Sequence, residues 1–285
     1  MILITGAAGK TGLAVLAALK ARGARVRCFS SNPASAERLV ARGADETAIG
    51  DLGDGAALRT AMTGVRSLYH IAPNMSEREI AIGKAAIAAA RVALLERFVY
   101  HSVIFPYLRA LPHHWDKLAV EEMLVEERVP YTILQPTMYM QNIALAWPQI
   151  ARRGVFAQPY SADQPMGLVD LDDVAAVAAA VLLDDGHLGA TYELCSGDSL
   201  TRREMAKIIG AVLGRPVEAA VVEFATWQAQ NAPGLNDERR ERLFKMFRHY
   251  DAVGLPAGNA NVLRWLLGTE PSQFADFVKR QVATS

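Results

Sequence analysis

The sequence predicts an α/β fold in which a doubly wound parallel sheet is covered by helices on both faces. Two observations predict this class. Short apolar segments alternate with longer amphipathic segments through residues 1–145, and a glycine-rich segment joins the first apolar run to the first amphipathic run. Strands that alternate with helices are joined by right-handed crossovers, which place the strands parallel in one sheet. The pattern is that of a Rossmann-type domain.

The first half of the chain is predicted to contain six strands and five helices. The strands are expected at residues 1–5, 25–30, 46–49, 67–71, 98–102 and 131–135. The helices are expected at residues 11–22, 34–42, 54–62, 77–93 and 115–127. Gly23 and Gly43 follow two of these helices, where a left-handed residue often ends a helix. Asp54 and Ser76 are expected to cap helices, and Glu79 stands at the capping-box distance from Ser76.

The glycine-rich segment, residues 6–12 (GAAGKTG), lies between an apolar strand and a helix. Gly6 permits a tight turn, Gly9 lets the backbone approach a pyrophosphate, and Gly12 permits close packing of the helix on the strand. The helix that follows presents free N–H groups and a partial positive charge to phosphates. The segment therefore predicts a dinucleotide site.

After residue 145 the pattern becomes mostly helical. Helices are expected at residues 171–183, 201–213, 237–250, 259–267 and 272–282, with strands only at residues 191–194 and 217–222. We expect residues 1–145 to form a dinucleotide-binding Rossmann domain. Residues 146–285 are expected to form a smaller substrate-binding part, some segments of which return to pack on the Rossmann domain.

The composition bounds the partners and the compartment. Thirty basic and thirty acidic residues give a formal net charge of zero, so neither nucleic acid nor a membrane surface is an expected partner. Cys28 and Cys195 fit neither a disulfide framework nor a zinc pattern, which favours a reducing, cytoplasmic compartment. No signal peptide is expected. The pair His113 and His114, with Asp116 nearby, lacks a third ligand, so no metal is expected.

The second strand bears on the choice of nucleotide. An NAD site usually has a carboxylate at the end of this strand to bind the ribose 2′-hydroxyl, and here Ser30 and Ser31 stand there instead. Their hydroxyls and the Lys10 ammonium suit a 2′-phosphate, and Arg25 and Arg27 add positive charge. NADP(H) is therefore favoured over NAD(H).

Other cofactor contacts are expected at the ends of neighbouring strands. Asp51 either contacts the adenine amino group or caps the next turn. The predicted set outside the catalytic residues is Gly6, Ala8, Gly9, Lys10, Thr11, Gly12, Ser30, Ser31, Asp51, Leu52, Ile71, Ala72, Pro73 and Pro136.

With these residues assembled, the chain resembles the NmrA-like group of atypical short-chain dehydrogenase relatives. The matching segments are residues 5–12, 100–102, 117–124, 131–136 and 167–174, with weaker similarity over residues 192–215 and 258–278. The resemblance implies a Rossmann-type fold. It also implies either an NAD(P)H-dependent reductase of quinones or dyes, or a nucleotide-sensing regulator without turnover.

The resemblance also implies catalytic residues. Ser102 matches the serine position of short-chain dehydrogenases, and Lys117 matches the lysine that binds the nicotinamide ribose. The tyrosine four residues before this lysine does not match, because His113 stands there and no Tyr-x-x-x-Lys occurs in the chain. A proton would then come from His113 or Lys117; alternatively, the histidines only cap and pack.

The stretch after the sixth strand lines the substrate cleft in the resembling family, which makes Tyr139 and Asn142 candidate substrate contacts. The leading hypothesis is an NADPH-dependent reductase of a small, aromatic or quinone-like compound. A non-catalytic redox sensor that signals through a protein partner is one alternative, and a sugar-nucleotide epimerase is another. A homodimer stays open.

Overall fold

The computed structural model describes residues 1–284, which fall into two compact units. The first unit comprises Met1–Gln135 and Val174–Tyr192, and the second comprises Pro136–Asp173 and the chain from Glu193 onward. Within the described residues no helix is both long enough and apolar enough to cross a membrane. Cys28 and Cys195 are buried free thiols.

The strands in chain order are β1 (Ile2–Ile4), β2 (Val26–Ser30), β3 (Glu46–Ile49), β4 (Ser67–His70), β5 (Arg97–His101), β6 (Tyr131–Pro136), β7 (Met138–Tyr139), β8 (Val155–Gln158), β9 (Met166–Val169), β10 (Ala190–Leu194), β11 (Ser199–Leu200) and β12 (Glu218–Val221). The helices are α1 (Lys10–Ala21), α2 (Pro33–Ala41), α3 (Gly55–Ala61), α4 (Glu79–Val92), α5 (Pro112–Glu126), α6 (Trp147–Arg153), α7 (Leu171–Leu183), α8 (Arg202–Leu213), α9 (Phe224–Asn231), α10 (Asp237–Val253), α11 (Asn261–Leu267) and α12 (Phe274–Ala283). A 3-10 helix spans Met140–Leu145.

The main sheet has the strand order β10-β6-β5-β4-β1-β2-β3, and every neighbouring pair from β3 to β6 is parallel. The strand order reverses between β1 and β4, so the chain leaves the carboxyl ends of these two strands towards opposite sides of the sheet. Such a switch point is where doubly wound sheets bind their ligands. The predicted α/β fold class is confirmed.

One face of this sheet packs against α3, α4 and α5. Leu3, Leu68 and Phe98 project from the central strands with no exposed surface, and Leu58 and Val120 meet them from the helices. Strands covered in this way are apolar along most of their length, which is why the sequence showed them clearly. Towards their carboxyl ends the same face becomes polar.

The expected elements of the first half are present, with ends that shift by a few residues. Gly23 and Gly43 have φ of +72° and +97°, as predicted for residues that end helices. Asp54 caps α3 by accepting the N–H of Ala56 at 2.8 Å. The capping box at Ser76 is wrong, because α4 begins at Glu79 itself and the Ser76 hydroxyl accepts the N–H of Arg78 at 3.1 Å.

The second unit contains more strand than the sequence predicted. The expectation of strands only at residues 191–194 and 217–222 after residue 145 is wrong, because β8, β9 and β11 are also present there. β9 pairs with β7 in parallel and with β11 antiparallel, and β8 pairs with β12 in parallel. These strands are two to four residues long, too short to show an alternating pattern.

Candidate functional site

The turn between β1 and α1 has the geometry that its glycines predict. Gly6 has φ of +59°, and a Cβ placed on it would lie 2.7 Å from the Ile71 carbonyl oxygen. A Cβ on Gly12 would lie 2.5 Å from the Gly6 oxygen and 2.6 Å from the Cα of Ala7. No side chain fits at either position without moving backbone. The chain therefore closes tightly on itself here, and α1 starts directly against the turn.

Gly9 has a different role in the same turn. It is the N-cap of α1 in an extended conformation, and no side chain caps the helix. A Cβ on Gly9 would meet only the Gly6 oxygen, at 3.3 Å, so space above this residue is open. The first N–H groups of a 12-residue helix point into that space and favour an anion. The residues present fit a dinucleotide diphosphate.

The neighbouring strand ends support the turn. Thr5, the residue after β1, accepts the Ile71 N–H through its hydroxyl at 3.0 Å and also bonds the Nδ1 atom of His70 at 2.9 Å. Ile71 in turn packs on Gly6. Ala72 is buried and Pro73 is exposed just beyond. These predicted contacts therefore lie beside the glycine turn, as do Ala8, Lys10 and Thr11 within it.

The end of β2 carries the two predicted hydroxyls. Ser30 is buried and donates to the Asn32 carbonyl at 3.1 Å, whereas Ser31 is exposed. Arg25 and Arg27 start the strand rather than end it, and both pair with Glu46. Their charge is therefore neutralised away from the carboxyl edge where the hydroxyls lie.

Asp51 follows β3 and is largely exposed. Its Oδ1 atom accepts the Gly53 N–H at 2.6 Å, which forms a local turn, and the carboxylate pairs with Arg78 at 2.6 Å. The turn-capping alternative is thus present in the structure. Leu52 is half-buried beside it.

A row of buried polar side chains occupies the carboxyl end of the sheet beneath α4 and α5. Lys117, on α5, donates to the Oε1 atom of Glu79 at 2.9 Å and to the carbonyl of His101 at 3.1 Å. The Tyr100 hydroxyl donates to the same Glu79 oxygen at 2.8 Å, and the Lys117 ammonium lies 5.2 Å from the centre of the Tyr100 ring. Burial raises the pKa of Tyr100 well above its ordinary value, as does the Glu79 carboxylate, so this phenol keeps its proton.

A second buried carboxylate, that of Glu121, accepts a hydrogen bond from Ser102. The Ser102 hydroxyl donates to Glu121, whose two oxygens also accept from the Gln135 amide at 2.9 Å and 3.0 Å. Glu121 follows Lys117 by one helical turn, so both face the sheet from α5. Burial raises the pKa of Glu121, and the bonds from Ser102 and Gln135 oppose that rise.

Two histidines lie fully inside the first unit. Burial lowers the pKa of His70 to about 4 and that of His101 to about 3. The ring of His70 stacks on Tyr100 at 6.1 Å, and its Nε2 atom has no hydrogen-bond partner. The Nδ1 atom of His101 lies 2.5 Å from the Tyr69 hydroxyl. Both rings are therefore uncharged at neutral pH.

The two histidines at the start of α5 differ in burial. His114 is buried, and its Nδ1 atom is 3.1 Å from the Phe105 carbonyl oxygen. His113 is partly exposed, with its ring edge-on to His114 at 4.6 Å. His114 is therefore committed to the loop before the helix, and His113 is the more accessible of the two. Within residues 1–284 no group of three potential ligands could hold a metal ion.

The predicted substrate contacts belong to the second unit. Tyr139 ends β7 and is half-buried, and Asn142 is exposed on the 3-10 helix. Gln141 between them donates to Asp170 at 2.7 Å and accepts the Leu171 N–H at 3.0 Å. Pro136 is buried at the end of β6.

The structure brings together Gly6, Gly9, Gly12 and Ile71 at the turn, and separately joins Lys117 and Ser102 to two buried carboxylates. The sequence reasoning missed both carboxylates, Glu79 and Glu121. The spacing of Lys117 and Glu121, four residues apart on one helix, was a signal that the two side chains share a face. Nothing local to Glu79 marked it as a partner of Lys117.

The switch point and the glycine turn define a Rossmann-type nucleotide-binding protein. The model of the NmrA-like family matches residues 1–278, so the chain belongs to that family, as the resemblance predicted. It is 35% identical over 219 residues to (4-alkanoyl-5-oxo-2,5-dihydrofuran-3-yl)methyl phosphate reductase of Streptomyces griseus, covering 76% of this chain and 75% of the relative. It is 27% identical over 290 residues to the NAD(P)H azoreductase of Xenophilus azovorans, covering 99% and 98% of the two chains.

Among solved structures, the fold matches the NADPH-dependent quinone oxidoreductase of Escherichia coli, determined with NADPH. The TM-score is 0.83 and the identity 26%, over 99% of this chain and 100% of that one. The likeness extends over both units of the present chain.

Proposed function

We propose that this protein is an NADPH-dependent reductase of a small molecule, with aromatic or quinone-like compounds as its substrate class. The observation that carries the proposal is the glycine turn, in which Gly6 and Gly12 admit no Cβ and Gly9 leaves open space before an uncapped helix. Relatives that are named as reductases, two of them with NADPH or NAD(P)H in their names, support it.

When bound, the reduced nicotinamide supplies a hydride, and the protein supplies orientation and a proton. Lys117 is assigned to the nicotinamide ribose, since its ammonium lies at the end of β5. We propose His113 or Lys117 as the proton donor, and we propose that Ser102 acts near the reacting group, as the family resemblance implies. Tyr139 and Asn142 are kept as proposed substrate contacts, as the family resemblance implies.

The preference for NADPH over NADH rests on the end of β2. Ser30 and Ser31 stand where an NAD site would carry a carboxylate, and Lys10 is exposed at the start of α1, directly after Gly9 of the glycine turn. Cys28 and Cys195 are free thiols rather than a disulfide, which supports a reducing, cytoplasmic compartment.

Nucleotide binding is tested by titrating NADPH and NADH and following the fluorescence of the reduced ring. NADPH is expected to bind more tightly, and equal or tighter binding of NADH would overturn the cofactor choice. Gly9→Ala is the informative variant, because its Cβ enters the open space yet clashes little with the turn. It should melt near the wild type and bind NADPH about tenfold or more weakly.

Turnover is tested with a panel of quinones and dyes, following the absorbance of NADPH. Wild type should oxidise NADPH in the presence of at least one of them, and Lys117→Ala should be slower. The absence of Tyr-x-x-x-Lys favours a second candidate, a redox sensor that binds the nucleotide without turnover. Tight NADPH binding with only background oxidation across the panel would support the sensor.

A further inference from the structure

We propose that Glu79 is a positioning residue that holds the Lys117 ammonium at the end of β5, charged and oriented for the nicotinamide ribose. The inference rests on the proposed function, in which Lys117 contacts that ribose. Glu79 lies outside the glycine turn, and it is neither the serine nor the lysine to which the family resemblance points.

Two hydrogen bonds fix the orientation of the Glu79 carboxylate. Glu79 is 5% exposed, and its Oε1 atom accepts from both Lys117 and Tyr100. Two donors that converge on one oxygen fix the carboxylate more firmly than either alone. Charge-assisted bonds of this kind are about twice as strong as neutral ones.

The Lys117 side chain is confined on its other sides as well. Its ammonium also donates to the last carbonyl of β5, that of His101, and the Tyr100 ring lies beneath it. A lysine stem normally samples many rotamers, and ordering it costs up to about 2 kcal/mol of side-chain entropy. Here that ordering is complete before any ligand arrives, which lowers the cost of binding.

The Glu79 carboxylate also neutralises the charge of the poorly solvated Lys117 ammonium. The Lys117 side chain is 16% exposed and that of Glu79 6%, so water stabilises neither charge well. The other ionisable groups around this pair are His70 on β4, Tyr100 and His101 on β5, and Asp116 and Glu121 on α5. The histidines and the phenol are uncharged at neutral pH, and Glu121 bonds Ser102, so Glu79 is the carboxylate that bonds the Lys117 ammonium.

The test compares Glu79→Gln with Glu77→Gln, an exposed glutamate two residues earlier. Each variant is titrated with NADPH and with adenosine 2′,5′-bisphosphate, which carries the adenosine end but no nicotinamide ribose. Glu79→Gln is expected to weaken NADPH binding about tenfold or more, since a bond to a charged group is lost, and to leave bisphosphate binding unchanged. Glu77→Gln should change neither.

Alkaline pH gives a second readout that a merely structural role would not move. A partly buried ammonium without an anionic partner loses its proton more readily. The affinity of Glu79→Gln for NADPH should therefore fall more steeply between pH 7 and pH 9 than that of wild type. Glu79→Asp keeps the charge and should recover part of the lost affinity, which also covers the case in which Glu79→Gln folds poorly.

Lys117→Ala separates the two ways of failing. If Lys117→Ala weakens NADPH binding but Glu79→Gln does not, the role of Glu79 is overturned and that of Lys117 stands. If neither variant weakens it, the assignment of Lys117 to the ribose fails, and the inference fails with it. Equal loss in Glu79→Gln and Glu79→Asp would also overturn the inference.

Discussion

At the scale of single residues, the carboxyl group of Glu121 is buried where its charged form is poorly solvated. It is 8% exposed, and burial raises its pKa despite the bonds from Ser102 and Gln135. A carboxyl with a raised pKa stabilises the folded state below its unfolded pKa, and this stabilisation is lost as the pH rises through the folded value. At pH 8 the charged form therefore lowers the free energy of unfolding.

We accordingly expect Glu121→Gln to gain stability relative to wild type as the pH rises. Glutamine keeps the shape and can still accept from Ser102. The difference in free energy of unfolding should move in favour of the variant by on the order of 1 kcal/mol between pH 5 and pH 8. Chemical denaturation at the two pH values measures it. Glu122→Gln, on the exposed side of α5, is the control. If both variants gain the same stability relative to wild type as the pH rises, burial of Glu121 is not the cause of the gain.

Residues differ in how far the sequence could predict them. Gly6 and Gly12 were assigned correctly, because their backbone requirements follow from a motif of fixed spacing. Glu79 was misassigned to a capping box, because the spacing from Ser76 is the only local signal and the true partners, Tyr100 and Lys117, lie 21 and 38 residues away. A charge that is buried by distant segments leaves no trace in its own neighbourhood.

At the scale of elements, α4 and α5 approach each other closely at one point. A Cβ on Gly83 would lie 2.6 Å and 2.8 Å from the two methyl carbons of Val120. Gly83 follows Glu79 by one turn of α4, and Val120 follows Lys117 by nearly one turn of α5. The helix spacing that this contact sets is therefore the spacing across which Glu79 reaches Lys117.

Gly83→Ala should force the two helices apart. We expect a loss of about 1–3 kcal/mol in the free energy of unfolding, as for other overpacked sites, together with weaker NADPH binding. Val120→Ala removes the methyl groups in conflict, so the double variant should recover part of both losses relative to Gly83→Ala. Denaturation and NADPH titration test this, and losses that simply add in the double variant would show that the contact does not set the spacing.

In the second unit, α12 is tied to the start of α7 by a buried carboxylate. Asp170 is 0% exposed and bonds Arg280, the Gln141 amide at 2.7 Å and the Asp172 N–H at 2.9 Å. Because the arginine is itself half-exposed, only one of the two charges is fully desolvated. Removing the arginine leaves the buried charge without its counter-ion.

Arg280→Met should therefore destabilise the protein by about 2 kcal/mol or more. Lys279→Met, which breaks the neighbouring exposed pair with Asp276, should change stability by less than about 1 kcal/mol. Melting curves of the two variants at the same pH make the comparison. Equal effects would mean that burial of Asp170 does not matter for the energy of its pair.

Elements were predicted best where they repeat a long pattern. β1 is apolar and β5 has an apolar centre at Phe98, Val99 and Tyr100, and they are followed by helices of 12 and 15 residues, so periodicity placed them. β7 and β11 have two residues each, and they exist because β9 pairs with both. Pairing between segments this short depends on tertiary context, which the local sequence does not contain.

At the scale of the whole molecule, acid should unfold the first unit through histidines as well as carboxylates. His70 and His101 ordinarily titrate near 6.5, and their folded pKa values are lowered to about 4 and about 3 by burial. As the pH falls below 6.5, the unfolded chain binds protons that the folded chain refuses. Each histidine then lowers the free energy of unfolding by about 1.4 kcal/mol per pH unit until its folded pKa is reached.

Wild type should thus lose on the order of 2 kcal/mol between pH 6 and pH 5, before ordinary carboxylates begin to titrate. Hydrogen exchange of the β4 and β5 amides reports this unit directly. The double variant His70→Gln with His101→Gln should lose much less over the same interval. His249→Gln is the control, since burial lowers the pKa of that partly exposed ring in the second unit too. If wild type and the double variant lose equal free energy of unfolding between pH 6 and pH 5, the acid sensitivity belongs to other groups. Glutamine does not bind a proton in this pH range, so the double variant lacks the two protonations that His70 and His101 supply in the unfolded chain.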